Sequence, residues 1–242
     1  MTFASAYRSK PADADGRFPY DAEECAVWAE LVEAQRLGLA GRAWGRFHAG
    51  VSLLGLDRTI PQLSDLSLRL EALTGFRAVP VPAMIEAETF FNLLAERCFP
   101  VATFVRRRDE MEYLQEPDLF HEVYGHCSLL ADQEIADLTQ QFGHLGLRTP
   151  RRHWYRLQRL FWFTMEFGLI RSESGVRILG AGILSSPKES VLALESPRAE
   201  RLDFDLETVM STDYRIDRIQ PRYFVLSSLE DLWMALDPRH FA

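Results

Sequence analysis

Apolar residues recur at helical spacing along most of this chain of 242 residues. Asp21 and Glu24 form a capping pair ahead of an apolar stripe that contains Val27 and Trp28, which predicts a helix beginning there. The same spacing, with proline at helix starts and glycine at helix ends, predicts several more helices. They are expected over about 44–54, from Pro61 to Gly75, over 86–97, 117–131 and 133–146, and from Pro150 to about Ile170.

Strand signals are short and lie between these helices. The segments predicted to be extended are 76–81, Val101–Val105, Val176–Leu179 and Tyr223–Leu226. The run from Ser186 to Glu189 has the pattern of a capping box with proline at the first helical position, so a further helix is expected there. Because no repeat or linker divides the chain, we predict one mainly α-helical α+β domain at 21–242, with a few short strands, after an irregular N-terminal arm at 1–20.

Composition and charge narrow the possible partners. Hydrophobic residues make up 47% of the chain, and the formal net charge of -8 argues against a general nucleic-acid binder. No apolar run is long enough to span a membrane, and the N-terminus lacks the pattern of a secretion signal. Cys25, Cys98 and Cys127 are isolated and are expected to be reduced thiols. We therefore expect a cytoplasmic protein with neither nucleic acid nor membrane as a partner.

The segment from Glu116 to His126 concentrates residues that can ligate a metal. It holds three carboxylates and two imidazoles in eleven positions. On a regular α-helix His121 and His126 would point about 140° apart, because each residue turns the chain by about 100°. A shared metal therefore requires the helix to break, and Gly125, which lacks a Cβ, is the predicted position of that break. The histidines of a zinc-protease motif lie four residues apart instead.

Glu166 is the candidate third ligand, because a carboxylate inside the apolar stretch 161–169 requires a partner. Two histidines and one carboxylate leave coordination positions open, which suits ferrous iron that activates dioxygen. Three other interpretations stay open. They are histidines that are only core residues, with Glu166 paired to Arg156 or Arg159, a zinc-dependent hydrolase, and a metal-free binding module. The three residues taken together favour the metal site.

Several collinear motifs resemble one known family. They are Thr74-Gly75-Phe76-Arg77, the Glu-Pro-Asp-x-x-His-Glu-x-x-Gly-His segment at 116–126, the runs 162–169 and 180–186, and Gln220-Pro221. Over roughly residues 60–230 the chain is similar to the pterin-dependent aromatic amino acid hydroxylases, and most of all to their short bacterial members that hydroxylate phenylalanine. The resemblance implies the catalytic-domain fold of that family for 21–242. It also implies that the enzyme uses iron(II), a tetrahydropterin and dioxygen.

The resemblance further implies roles for individual residues. Those that match the family's catalytic iron ligands are His121, His126 and Glu166. Those that match its substrate site are Arg106 and Ser185 at the carboxylate, and Pro117 and Trp162 at the aromatic ring. Those that match its pterin site are Phe90, which would stack on the pterin, Glu122, and the loop residues Ala83 and Ile85.

The resemblance implies L-phenylalanine as the substrate and L-tyrosine as the product, and the apolar Ile216 would give a phenolic hydroxyl no partner. Tryptophan hydroxylation and attack at the 3-position of phenylalanine stay open, because a small shift of the ring changes which carbon meets the oxidant. Leu114-Gln115 replaces the Thr-Pro of the animal enzymes and resembles the bacterial members, whereas Cys127-Ser128 replaces the Val-Pro that usually follows the second ligand in the family. No segment matches their regulatory domain or tetramerisation helix, so a monomer is expected.

Overall fold

The computed structural model describes residues 7–112, 114, 116–216 and 218–241. Its α-helices are α1 (Ala22–Gly38), α2 (Gly45–Leu54), α3 (Leu63–Thr74), α4 (Ala87–Ala95), α5 (Ser128–Leu130), α6 (Gln133–Arg148), α7 (Trp154–Phe161), α8 (Ala181–Leu184), α9 (Pro187–Glu195), α10 (Leu206–Ser211) and α11 (Glu230–Ala235). Two π-helices lie at Phe120–Cys127 and Trp162–Glu166, and 3-10 helices at Arg108–Glu110, Arg151–His153 and Pro238–Phe241. Among the described residues, no helix is long and apolar enough to cross a membrane. The first six residues of the predicted arm, Gln115 and Ala242 lie outside the described residues.

Short strands form two separate sheets. The strands are β1 (Arg77–Val81), β2 (Cys98–Ala102), β3 (Leu169–Ser172), β4 (Gly175–Ile178), β5 (Glu200–Asp203) and β6 (Arg222–Leu226). β1 and β2 pair in parallel. The other four strands follow the order β4-β3-β6-β5, in which β3 is antiparallel to β4 and parallel to β6, and β5 is parallel to β6. The mainly helical α+β class predicted from the sequence is confirmed.

Local capping signals set two helix starts. Asp21 accepts the Glu24 N–H at 2.9 Å, and the Glu24 carboxylate accepts the Asp21 N–H at 2.8 Å, so the predicted capping box opens α1. Ser186 caps α9 by accepting the Glu189 N–H at 3.3 Å. The Glu189 carboxylate is turned to Gln220 instead of back to Ser186, so only half of the second predicted capping box is formed.

Three boundaries differ from the sequence prediction. α3 begins at Leu63 and not at Pro61, because Gln62 is extended and its side chain exchanges hydrogen bonds with the backbone of Phe18. β2 covers Cys98–Ala102 rather than 101–105, since that register pairs it with β1. The helix predicted to reach Ile170 ends at Glu166, and the chain continues as β3. The pairing of β3 with β6 joins residues distant in sequence, which helical spacing cannot reveal.

Aromatic side chains anchor the first π-helix in the core. Phe120 packs edge-on against Trp28, with ring centroids 5.2 Å apart, and stacks on Tyr124 at 4.7 Å. Tyr124 meets Phe47 of α2 at 5.5 Å. Burying one such ring contributes about 1.5–3 kcal/mol, and each aromatic pair adds about 0.5–1.5 kcal/mol. These contacts fix the position of the π-helix, which carries both candidate histidines, relative to α1 and α2.

The helices α4 and α6 cross so closely that the crossing requires a glycine. A Cβ on Gly143 would lie 2.2 Å from the backbone nitrogen of Ala95 and 2.8 Å from the carbonyl oxygen of Phe91. We expect Gly143→Ala to lower the free energy of unfolding by about 1–3 kcal/mol, because the two helices must separate. Urea unfolding measures this loss. Gly45→Ala is the control, since a Cβ there meets nothing within 4 Å, and equal stability of the two variants would contradict the prediction.

Residues 7–20 contain neither helix nor strand and lie along the domain. The Tyr7 ring stacks on Phe104 with centroids 4.7 Å apart. The Ser9 hydroxyl donates to the Val81 carbonyl at 2.6 Å and accepts the Thr103 N–H at 2.9 Å. This part of the arm therefore bridges the ends of β1 and β2, next to the loop that follows β1.

Candidate metal centre and adjoining cavities

Both candidate histidines lie on the first π-helix, Phe120–Cys127. In a π-helix each N–H bonds to the carbonyl five residues back, so residues five apart lie nearly above one another. His121 and His126 therefore face the same side, with ring centroids 4.9 Å apart. The predicted break at Gly125 is wrong: the helix continues through this residue, which is not left-handed. A wider helix replaces the expected break.

Gly125 instead permits close packing. A Cβ there would lie 2.9 Å from the carbonyl oxygen of Ala181 and 3.2 Å from its Cβ. The missing side chain lets α8 approach the first π-helix. This approach brings Ser185, directly after α8, to the back of His121.

Glu166 ends the second π-helix and turns its carboxylate toward both imidazoles. Its Oε1 lies 3.0 Å from His126 Nε2, and its Oε2 lies 3.5 Å from His121 Nε2. One donor atom from each of the three residues lies within 4.8 Å of the others. Glu166, which lies 40 residues after His126 in the sequence, thus meets both histidines at one point.

The alternative pairing of Glu166 with an arginine is wrong. Arg156 binds Glu207 at 3.1 Å, and Arg159 binds Asp213. Both arginines therefore have other carboxylate partners on the outer side of α7. The imidazoles are the groups that face the Glu166 carboxylate.

The donor set fits a divalent transition metal. Two metal bonds of about 2.1 Å at a right angle place their donor atoms about 3 Å apart, which is close to the spacing of Glu166 from the imidazoles. Two imidazoles and one carboxylate on one side leave coordination positions open on the other side, as non-haem iron(II) requires. His121, His126 and Glu166 are the residues that would hold the ion.

Ser185 sets the orientation of the His121 ring. Its hydroxyl donates to the Ala181 carbonyl at 2.9 Å, so its oxygen accepts the Nδ1–H of His121 at 3.0 Å. With the proton on Nδ1, the lone pair of Nε2 faces Glu166 and is available to a metal. The serine that the sequence assigned to the substrate carboxylate therefore also contacts a candidate ligand.

We expect Ser185→Ala to weaken iron(II) binding by about 10- to 100-fold, because the His121 ring loses the partner that selects its tautomer. Titration against a competing chelator measures the affinity. Ser190→Ala removes another buried hydroxyl, which donates to the Pro187 carbonyl within α9, and should leave the affinity unchanged. Equal affinity in Ser185→Ala and the unmodified protein would count against this role.

Burial and neighbouring charge set the ionisation of the centre. Desolvation lowers the pKa of His121 to about 4, so its imidazole is neutral near pH 7. Burial alone would raise the pKa of Glu166, but His126 and His121 hold it below its ordinary value. A neutral imidazole and an ionised carboxylate are the forms that ligate metals.

Arg106 and Asp118 form a buried ion pair beside the centre. The Nε and Nη2 of Arg106 donate to the Asp118 carboxylate at 3.0 and 2.8 Å. Asp118 also accepts the backbone N–H groups of Arg106 and His121. Burial by itself raises the pKa of Asp118, yet the Arg106 guanidinium holds it below its ordinary value. The pair thus ties the start of the first π-helix to the segment that follows β2.

A first cavity, of about 150 Å³, adjoins two of the three candidate ligands, His121 and Glu166. All four residues matched to substrate binding line it, together with two of the candidate ligands: Arg106, Pro117, Trp162, Ser185, His121 and Glu166. Ile216, Glu189 and Gln220 complete part of its wall. Its wall combines the guanidinium of Arg106 with the rings of Pro117 and Trp162, which suits a ligand that carries both a carboxylate and an aromatic ring.

A second cavity, of about 280 Å³, lies beside the same candidate ligands. All four residues matched to pterin binding line it: Ala83, Ile85, Phe90 and Glu122. Ala83 has a φ of 91°, which is strained for a residue with a Cβ and is found mainly where the surroundings impose it. Burial raises the pKa of the Glu122 carboxyl well above its ordinary range. The two cavities share Pro117, His121, Trp162 and Glu166, so they meet at the candidate centre.

Sequence reasoning assigned no site role to four residues of this region. Glu189 and Gln220 line the first cavity, Tyr214 lines the second, and Asp118 holds Arg106. A signal existed for Asp118, which lies three residues before His121, the spacing of a residue that caps a helix. Tyr214 stacks on Trp162 with centroids 4.3 Å apart. The contacts of Tyr214, Glu189 and Gln220 join separate segments of the chain, so no local sequence pattern predicts these contacts.

Comparisons with known proteins agree with this geometry. A family model described as biopterin-dependent aromatic amino acid hydroxylase matches residues 3–242. A phenylalanine-4-hydroxylase of Vibrio cholerae is 46% identical over 230 residues, which cover 94% of this chain and 79% of the relative. One from Pseudomonas aeruginosa is 45% identical and covers 94% of this chain and 87% of the relative.

Solved structures are similar over nearly the whole chain. The phenylalanine hydroxylase of Legionella pneumophila superposes with a TM-score of 0.92 at 44% identity, covering 96% of this chain and 94% of that one. The Chromobacterium violaceum phenylalanine hydroxylase with bound iron(III) and 7,8-dihydrobiopterin superposes with a TM-score of 0.87 at 41% identity, covering 93% and 85%. The likeness therefore includes a structure that contains both a metal and a pterin.

Proposed function

The chain belongs to the biopterin-dependent aromatic amino acid hydroxylase family, and on that premise we propose that it converts L-phenylalanine to L-tyrosine. The family reaction uses iron, a tetrahydropterin and dioxygen to hydroxylate the ring of an aromatic amino acid. One observation carries the assignment of this site: two separate cavities meet at His121, Glu166 and their neighbours. A zinc-dependent hydrolase or a metal-free binding module would not require the second cavity.

We assign the first cavity to phenylalanine. Arg106 lines this cavity; its Nε and Nη2 are held by Asp118, and its Nη1 lies 3.4 Å from the Ser185 carbonyl. A guanidinium fixed in this way can bind the substrate carboxylate without losing further side-chain entropy. Trp162 and Pro117 would then enclose the ring at the candidate ligands. The apolar Ile216 offers no hydrogen bond to a phenolic hydroxyl, which favours phenylalanine over tyrosine as the substrate.

We assign the second cavity to the tetrahydropterin. Its larger volume suits a bicyclic ring, and Phe90 offers an aromatic face on which that ring can stack. Phe90 is itself held edge-on by Phe161, with centroids 5.4 Å apart. Glu122 and the strained loop at Ala83 and Ile85 would contact the polar edges of the pterin.

The described side chains bind and orient the reactants and exclude water. Iron and the tetrahydropterin, when bound, supply the activation of dioxygen and the electrons for it. His121, His126 and Glu166 would hold the ion, and the two cavities adjoin these residues. Phe99 packs against the His126 ring at 4.8 Å and removes that ligand from solvent. Placement of the substrate ring beside the candidate ligands is the contribution of the protein.

We further propose that residues 21–242 form one catalytic domain and that the protein acts as a cytoplasmic monomer. One continuous hydrophobic cluster runs from Phe18 to Phe241, which supports a single domain. Cys25, Cys98 and Cys127 are free thiols, which suits a reducing compartment. Light scattering of the purified protein tests the monomer, and a stable dimer mass would contradict it.

Product analysis tests the proposed reaction. The purified protein is incubated with iron(II), a tetrahydropterin, oxygen and either phenylalanine or tryptophan, and hydroxylated products are separated by chromatography and identified by mass. We expect pterin-dependent tyrosine from phenylalanine. 3-Hydroxyphenylalanine or a preference for tryptophan would overturn the substrate assignment within the family. Absence of any hydroxylated product would overturn the proposed function.

A further inference from the structure

We propose that Glu189 is a positioning residue for the aromatic ring of the substrate and acts through Gln220 on the indole of Trp162. Glu189 lies on α9, whereas Trp162 lies on the second π-helix. The proposal rests on the proposed function, because the substrate ring is taken to lie against Trp162.

Glu189 connects α9 to the segment that enters β6. Its side chain is 2% exposed, and its Oε1 accepts the backbone N–H of Gln220 at 3.1 Å and the hydroxyl of Tyr223 at 2.8 Å. Tyr223 is fully buried in β6. One carboxylate oxygen thus fixes two points of the chain that are three residues apart.

Gln220 passes this constraint to the cavity. It is 4% exposed, and its Nε2 donates to the carbonyls of Arg215 and Arg218 at 2.8 and 3.0 Å. Its Oε1 accepts the Nε1–H of Trp162 at 3.3 Å. The side-chain amide therefore holds the 212–220 loop and the indole at the same time.

Trp162 has few other directional contacts. Its indole stacks on Tyr214, at 4.3 Å and 16° between planes, and contacts the tilted ring of Phe167, at 4.5 Å and 36°. Stacking of this kind permits a ring to slide or turn in its own plane, whereas the bond from Nε1 to Gln220 selects one rotation. Because Trp162 lines both cavities, its rotation sets where the substrate ring can lie.

A buried carboxyl is a costly way to hold a loop if stability alone is required. Burial raises the pKa of Glu189 to about 7, and its partners on Oε1 are two hydrogen-bond donors rather than a basic side chain. An oxygen of the carboxyl can accept these bonds in either protonation state. Glutamine, which keeps that oxygen, should therefore replace glutamate, whereas leucine should not.

The test compares Glu189→Leu, Glu189→Gln and Gln220→Leu with Ser190→Ala, which removes a neighbouring buried hydroxyl from the same helix. For each variant we would measure the ratio of 3-hydroxyphenylalanine to tyrosine, the KM for phenylalanine and for the pterin, and kcat. Calorimetric titration with phenylalanine gives a binding readout that does not depend on turnover. Thermal unfolding reports how far each variant is destabilised.

We expect Glu189→Leu and Gln220→Leu to raise the KM and the Kd for phenylalanine by about five- to tenfold, as loss of one hydrogen bond predicts. Both should increase the share of 3-hydroxyphenylalanine and leave the pterin KM unchanged. In Glu189→Gln the phenylalanine KM and Kd should be close to those of the unmodified protein. Ser190→Ala should have the same KM and Kd as the unmodified protein. A variant that combines Glu189→Leu with Gln220→Leu should have the same phenylalanine KM as Gln220→Leu alone, because both changes break one chain of contacts.

An unchanged product ratio and KM in Glu189→Leu would overturn the proposal, as would a defect in Glu189→Gln as large as that in Glu189→Leu. If Glu189→Leu does not fold, Gln220→Leu and Glu189→Gln decide the question by the same two readouts. A failure of the unmodified protein to hydroxylate any aromatic amino acid would instead refute the proposed function, and this proposal with it.

Discussion

Glu166→Ala is expected to abolish stoichiometric iron(II) binding and to reduce the rate of tyrosine formation by about three orders of magnitude or more. The variant removes the one anionic donor from a centre whose other two donors are the imidazoles of His121 and His126. A bound metal supplies several kcal/mol of stabilisation to the reaction it promotes, and each 1.4 kcal/mol corresponds to about a tenfold change in rate. Iron content by elemental analysis and product formation by chromatography measure the two effects.

His144→Ala is the matched control for loss of a metal-binding side chain. His144 is exposed on α6 and lines neither cavity, so its replacement should change neither iron content nor rate. Glu166→Asp should have intermediate iron content and an intermediate rate, because it keeps the carboxylate but places it one methylene farther from the imidazoles. If Glu166→Ala retained full iron content, another carboxylate would have to be the third ligand.

Asp118→Asn is expected to lower the free energy of unfolding by about 3–5 kcal/mol and to raise the KM for phenylalanine. Arg106 and Asp118 are 4% and 0% exposed, so removal of one charge leaves the other buried and uncompensated. Arg106 would also lose the contacts that hold its guanidinium in the wall of the first cavity. Urea unfolding gives the stability, and initial rates at varied phenylalanine give the KM.

Asp203→Asn breaks an exposed ion pair instead of a buried one and serves as the control. The pair between Arg171 and Asp203 is exposed, and an exposed pair contributes about 0–1 kcal/mol. The contrast between the two variants separates the effect of burial from that of charge pairing. A stability loss in Asp118→Asn no larger than in Asp203→Asn would refute a structural role for the buried pair.

Glu166→Ala and Asp118→Asn act on one site that two separate segments of the chain form, and most residues of that site were identifiable in advance. His121, His126 and Glu166 stand out because ligand-type side chains amid apolar residues need partners. Their chemistry could therefore be inferred without a structure. The π-helix that brings His121 and His126 to one side could not be inferred from the sequence. A preference for five-residue hydrogen bonding leaves no clear residue pattern, so a regular α-helix with a break at Gly125 was the expectation.

Helix starts with local caps were predictable because a cap depends on residues close together in the sequence. Strand pairings were not, because they depend on residues far apart in the sequence. The box at Asp21 and Glu24 depends on residues three apart, whereas β3 is defined by partners in β4 and β6. The helix predicted to reach Ile170 is an example of this limit. Its apolar residues suit a buried strand as well as a buried helix, and periodicity alone cannot separate the two.

The sequence by itself determined the fold class and the set of residues able to bind a metal, because these follow from side-chain chemistry and local spacing, and its collinear motifs indicated the family by resemblance. The tertiary structure alone decided which side of His121 meets Ser185, which carboxylate holds Arg106, and how Glu189 reaches Trp162 through Gln220. Each of these contacts joins residues whose separation along the chain has no fixed period. They depend on the packing of α8, α9 and the 212–220 loop around the first π-helix, and packing is a property of the whole fold.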